Sequence, residues 1–219
     1  MKRFLIALLI LAPLSSVYSG ADKDFWTLSI TLFAGQSLSR YSEAVTPPAN
    51  FRQEEHNMTG AAFGLGFEFS SGERFIIDVR LQSLRKGTRL EIFQLNTGTG
   101  EYERLFEMTY QLDTVDSSIV FKFKPLRRSS PYILAGFSFS AARAHRINSL
   151  DQISLTKIYD FGIVAGCGAE LAFQKWAPFV EVRYVAGLND LNKGLDGFFP
   201  TIRTRALVLM AGIKIRLKI

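Results

Sequence analysis

Hydrophobic and polar positions alternate along most of this chain. In residues 204–219, one face carries Leu207, Leu209, Ala211, Ile213, Ile215, Leu217 and Ile219. The other carries Val208, Met210, Gly212, Lys214, Arg216 and Lys218. A β-strand sends successive side chains to opposite faces, so this stretch is a strand with one uncharged side and one side that turns cationic. A helix would spread those lysines and the arginine around its circumference. The same two-faced pattern predicts strands over residues 26–35, 58–70, 74–95, 101–124, 132–144, 157–173 and 178–187.

The connections between these eight strands alternate long and short. Polar loops are expected over 36–57, 145–156 and 188–203, and a turn at 96–100 closes the longest hairpin. Tight turns are expected at 70–73, 125–131 and 174–177. Long loops on one side and short turns on the other mark a bacterial outer-membrane barrel, with both termini in the periplasm. The pattern therefore predicts an all-β, eight-stranded antiparallel up-and-down transmembrane β-barrel with one long extracellular hairpin. Its apolar face carries no Asp, Glu, Lys or Arg through the membrane portions. A midplane Arg or Lys there would cost about 2–4 kcal/mol. Trp26, Tyr159, Trp176 and Tyr184 are the candidates for the aromatic girdles at the membrane interfaces.

The opposite face holds both signs of charge: Glu68, Asp78, Arg80, Lys122, Glu170, Glu181, Arg183, Lys214 and Arg216. An eight-stranded barrel is just wide enough for side chains, so these charges are expected to pair across the lumen with water rather than line a pore. Gly60, Ala62, Gly64 and Gly66 share one face, as a narrow inner wall with large neighbours requires.

The hairpin over about 83–116 has arms roughly twice the 9–11 residues that a membrane strand needs. Its charges alternate: Glu91, Glu101, Glu103, Glu107 and Asp113 against Arg85, Lys86, Arg89 and Arg104. Such a surface suits a partner strand or an envelope protein. Its phase is irregular over 110–116, where a bulge is expected.

The first residues differ from the rest. Lys2 and Arg3 precede an apolar run from Phe4 to Leu14, then small residues. This reads as a signal peptide over 1–19, cleaved to leave a barrel domain over 20–219. Removal of Lys2 and Arg3 leaves 24 basic and 20 acidic residues. Dispersed charge on an exported chain argues against a nucleic-acid partner. Cys167 is the only cysteine, which excludes an intrachain disulfide. The bilayer is the expected partner, the barrel is expected to be a monomer, and no cofactor is expected.

Catalytic and metal chemistry have few candidates. Only His56 and His145 are present. His145, near Ser140 at the end of a strand, would be the base of a lipid hydrolase or acyltransferase at the rim. His56 with Glu54 and Glu55 would be a metal site, but consecutive strand residues point apart and no second histidine is near. Neither is assigned as a catalytic or metal site. The leading expectation is a non-enzymatic envelope scaffold or interaction module. The alternatives are that lipid-modifying enzyme, or a soluble exported β-barrel binding an apolar ligand.

The segments IVFKFKPL (119–126), PYILAGFSFS (131–140), YDFGIVAGCGAEL (159–171), FVEVRYVAGLND (179–190) and LVLMAGIKI (207–215) resemble the PorT-like outer-membrane β-barrel family. The resemblance covers about the last hundred residues. It implies an eight-stranded outer-membrane barrel. Some members of that family are linked to protein secretion. The chain ends in Ile219 rather than an aromatic and carries the long hairpin, so a secretion role is not carried over.

Overall fold

A computed structural model describes residues 27–43, 50–71, 74–126, 131–147, 150–151, 159–173, 175–189 and 202–217. The predicted signal peptide and Trp26 lie outside the described residues, as do most of the 188–203 loop and the last two residues. The strands are β1 (Thr27–Glu43), β2 (Phe51–Ser71), β3 (Phe75–Leu95), β4 (Tyr102–Phe123), β5 (Pro131–Ile147), β6 (Leu150–Asp151), β7 (Tyr159–Glu170), β8 (Trp176–Gly187) and β9 (Ile202–Leu217).

The sheet runs β4-β3-β2-β1-β9-β8-β7-β5, and a β4–β5 pairing closes it into a ring. Every pairing is antiparallel. The opening stretch finds its partners as Leu32↔Ile213 on β1 and Val182↔Leu209 on β8. Closure leaves the ring without a raw edge. The short strand β6, two residues long, pairs among the described residues with β5 alone and lies outside the ring.

The uncharged face is the outer wall. Leu32, Phe63, Phe67, Leu81, Phe121, Ile133, Phe137, Ile163, Val180 and Leu209 are all exposed on it. Water would not tolerate a continuous apolar belt of this size on a monomer, whereas hydrocarbon does. This wall sets aside the soluble, ligand-filled barrel. The charged face turns inward and is buried.

The strands are longer than the sequence pattern predicts. The segment 36–57 is not one loop: β1 runs on to Glu43 and β2 starts at Phe51. Beyond the apolar belt both faces meet water, so the alternation that marks a membrane strand disappears while the hydrogen-bond ladder continues. The long hairpin is therefore not a lone ribbon. Residues 51–57 of β2 pair with 88–94 of β3, making a three-stranded sheet that stands past the belt at the end away from the termini. Within β3–β4 the register shifts between Ile92 and Phe93, and the ladder runs straight through 110–116. The irregularity at Asp113/Thr114 falls instead between β4 and β5, where Arg143 is the extra residue.

Candidate functional site: the filled lumen and the distal sheet

Alternation along each strand turns every second residue into a narrow lumen, and the charged ones gather there. At the end near the termini, Lys214 meets Glu68 at 3.0 Å and also binds Glu170, which Lys124 binds as well. Lys122 bridges to the next layer, 2.6 Å from Glu68, 2.9 Å from Asp78 and 3.3 Å from Glu181. There Arg80 donates from both terminal nitrogens to Glu181, at 3.0 and 3.2 Å, and reaches Asp78 at 2.7 Å. Arg183 donates to Asp78 at 3.0 Å and to Glu181. Tyr132 donates its hydroxyl to Glu181 at 2.7 Å.

Four carboxylates thus face five cations, and each carboxylate has at least two cationic partners. Multiple charge-assisted hydrogen bonds are what make such a desolvated cluster tolerable. Aromatic faces contribute too. The Arg80 guanidinium lies 4.7 Å from the Phe33 ring centre and 5.4 Å from that of Phe179.

Eight of the nine predicted lumen residues come together in this cluster. Arg216 does not: it lies half-exposed at the mouth and donates to the Phe173 carbonyl at 3.4 Å. It shares the inward face but sits one step past the cluster, where water solvates it. Lys124 and Tyr132 were missed, although both lie on faces legible in the sequence.

Buried apolar side chains follow on the distal side: Leu84 with Ala62 opposite it, and Val185 between Val164 and Ala206. Beyond them lies a second polar layer. Lys86 reaches Asp116 at 3.1 Å and donates to Ser140 at 3.1 Å, and Thr204 donates to Asp160 at 2.6 Å. Charged, apolar and polar layers in series fill the barrel.

The lumen glycines make room for these side chains. A Cβ on Gly66 would lie 2.6 Å from Thr31 Oγ1 and 2.8 Å from Arg80 Cγ. One on Gly64 would lie 2.8 Å from the tip of the Phe33 ring. Gly66→Val is expected to destabilise the folded barrel by about 1–3 kcal/mol through overpacking. Urea unfolding followed by tryptophan fluorescence measures it. An unchanged midpoint would mean that Arg80 moves aside freely.

Three girdle candidates stand exposed on the outer wall. Trp176 stacks on Phe173 at 4.5 Å near the terminal end, and Tyr159 stacks on Phe139 at 5.5 Å towards the distal end. Tyr184 pairs with Leu207, also on the distal side of the belt.

The distal sheet gathers the remaining chemistry. Arg89 and Arg104 both hold Glu107, at 2.7 and 3.2 Å, and Arg85 holds Asp113 at 2.8 Å. Pairing of β2 with β3 sets Glu91 opposite Glu54. His56 Nε2 is 3.8 Å from Glu91 and 4.0 Å from Glu54. These three groups could converge on a divalent cation. Glu55 is not among them, because strand alternation turns it away. Arg52 and Arg89 already neutralise the two carboxylates, at 2.7 and 3.2 Å, which weakens their pull on a cation. At the rim, Ser140 is buried in the lumen as the acceptor from Lys86, and does not face lipid. The side chain of His145 lies outside the described residues.

No family model matches the chain, and no curated protein matches it. Solved structures share its fold. The crystal structure of the outer membrane protein OprG from Pseudomonas aeruginosa matches with a TM-score of 0.50 at 9% identity, over 88% of this chain and 97% of that one. The Neisserial surface protein A matches with a TM-score of 0.50 at 14% identity, over 87% and 97%. The fold is that of outer-membrane β-barrels. Together with the apolar outer wall, it places the chain in the bacterial outer membrane.

Proposed function

We propose that the chain is a non-enzymatic outer-membrane module that presents its distal sheet outside the cell to another envelope or surface component. The carrying observation is the contrast between a lumen filled in three layers and a sheet built well past the bilayer. Filled lumens do not pass solutes, so the ordered material beyond the membrane is where recognition can occur. The β4 edge of that sheet has no described neighbour from Tyr102 to Phe106 on the side away from β3. Tyr102, Leu105 and Phe106 stand exposed along it. An open, partly apolar edge suits strand addition by a partner. The buried position of Ser140 supports this reading over a rim hydrolase. The resemblance of residues 119–126, 131–140, 159–171, 179–190 and 207–215 to PorT-like barrels supports a place in that group.

The test replaces residues 93–105 with Asn-Gly and keeps Ile92 opposite Phe106. The shortened barrel should keep its heat-modifiable gel mobility. A photo-crosslinker at Tyr102 of the full chain should trap a discrete adduct in cells, and one at Phe106 of the shortened chain should not. Absence of any adduct from the full chain, combined with stepwise conductance in planar bilayers, would replace the module with a channel.

A further inference from the structure

We propose that Arg40, Arg203 and Arg205 form a site for the phosphate of an outer-leaflet glycolipid headgroup. The proposal rests on the distal end facing outward from the cell, as argued above.

Arg40 on β1 and Arg205 on β9 are direct cross-strand partners, and Arg203 follows two residues along, opposite Ser42. All three arginines point outward and are exposed. The next outward pair towards the terminal end is Leu38↔Leu207. From there to Leu217 the outer face of β9 is uncharged. The three arginines therefore occupy the first step past the hydrocarbon belt, the depth at which headgroup phosphates lie.

Like charges directly opposite on a sheet repel, with Cβ atoms about 4.5–5.5 Å apart. No described carboxylate forms an ion pair with Arg40, Arg203 or Arg205. The outward arginines of the distal sheet are treated differently. Arg52 has Glu54 at 2.7 Å, Arg85 has Asp113 at 2.8 Å, and Arg89 and Arg104 share Glu107. Among the described residues, this like-charge pair at the membrane border is left uncompensated, and that border is where an external anion is abundant.

The geometry fits that anion. Arg203 and Arg205 are spaced about 6.6–6.8 Å along β9 and Arg40 lies directly across from Arg205, so the three side chains start close enough together to reach one phosphate. Planar forks bind phosphate oxygens two at a time. On its other side Arg205 faces Ala186 of β8, too small to cover it. Free phosphate has the same chemistry. A lipid fits better, because the wall below at Leu38, Leu207 and Leu209 receives its acyl chains.

The full chain, purified in neutral detergent, would be titrated in mixed micelles with bisphosphorylated lipid A and with the same glycolipid stripped of its phosphates. Inorganic phosphate forms a third arm. Binding is read as a rise in the temperature at which the compact gel band converts to the unfolded one. Arg40→Gln/Arg205→Gln should weaken the phosphorylated lipid roughly ten-fold or more, since two charge-assisted contacts are lost. Arg85→Gln, removed from the site, should bind as the parent does. If the double variant lacks the compact band, Arg203→Gln is measured instead and should weaken the same lipid. Equal affinity of parent and variant would overturn the proposal. So would equal binding of the stripped glycolipid, which would leave only acyl contact. Inorganic phosphate binding as tightly as the lipid would make this a free-anion site and overturn the lipid assignment. A failed partner crosslink at Tyr102 with lipid binding intact would sink the interaction module and leave this site standing.

Discussion

Glu181→Gln should cost the folded barrel about 3–5 kcal/mol, the penalty for removing one partner from a buried ionic cluster. Glu181 takes both terminal nitrogens of Arg80, binds Arg183, lies 3.3 Å from Lys122 and accepts from Tyr132. The amide keeps the shape and one acceptor oxygen but removes the charge. Five cations then face three carboxylates in a medium that screens poorly. The loss should appear as a lower urea midpoint, or as a compact gel band that converts at lower temperature. Adding Arg183→Met should recover part of the loss, because it removes one unbalanced cation. A double variant losing the sum of the two single losses would show that the two side chains act independently and that the cluster is not a network.

The second expectation concerns the outer wall. Leu209→Arg should destabilise the barrel by about 2–4 kcal/mol, while Leu105→Arg should change it by less than about 0.5 kcal/mol. The two leucines are similarly exposed, at 58% and 53%. Leu209 sits in the middle of β9 between Val182 of β8 and Gln36 of β1. Leu105 is the extra residue of β4 at the distal register shift. Exposure alone would make the substitutions equivalent; only the surrounding medium separates them. Refolding into lipid vesicles and measuring unfolding by denaturant decides the matter. Equal costs would mean that the wall at Leu209 meets water or protein rather than hydrocarbon.

The alternation was legible because the bilayer imposes one rule on every strand: no charge on the outward face. That rule made Phe67, Ile163 and Leu209 outward and Glu68, Asp78 and Arg183 inward without reference to any neighbour. It holds only within the belt. At Gln36–Glu43 and Phe51–Asn57 it lapses, so strands that continue there read as loop. The candidate site followed the same limit. Parity placed eight charged residues in the lumen, but it also placed Arg216 there, and a period of two says nothing about depth.

Local sequence thus determined which way each membrane residue faces, because facing depends only on position along a strand. Who meets whom was decided by closure of the ring. Arg80 and Glu181 are 101 residues apart, and Arg80 and Arg183 share Asp78 only because β3 and β8 face each other across the lumen. The register of the β2–β3 hairpin set Glu91 beside His56, and closure set Arg40 beside Arg205. Register along paired strands and distance across a barrel are properties of the whole sheet, and no single strand carries them.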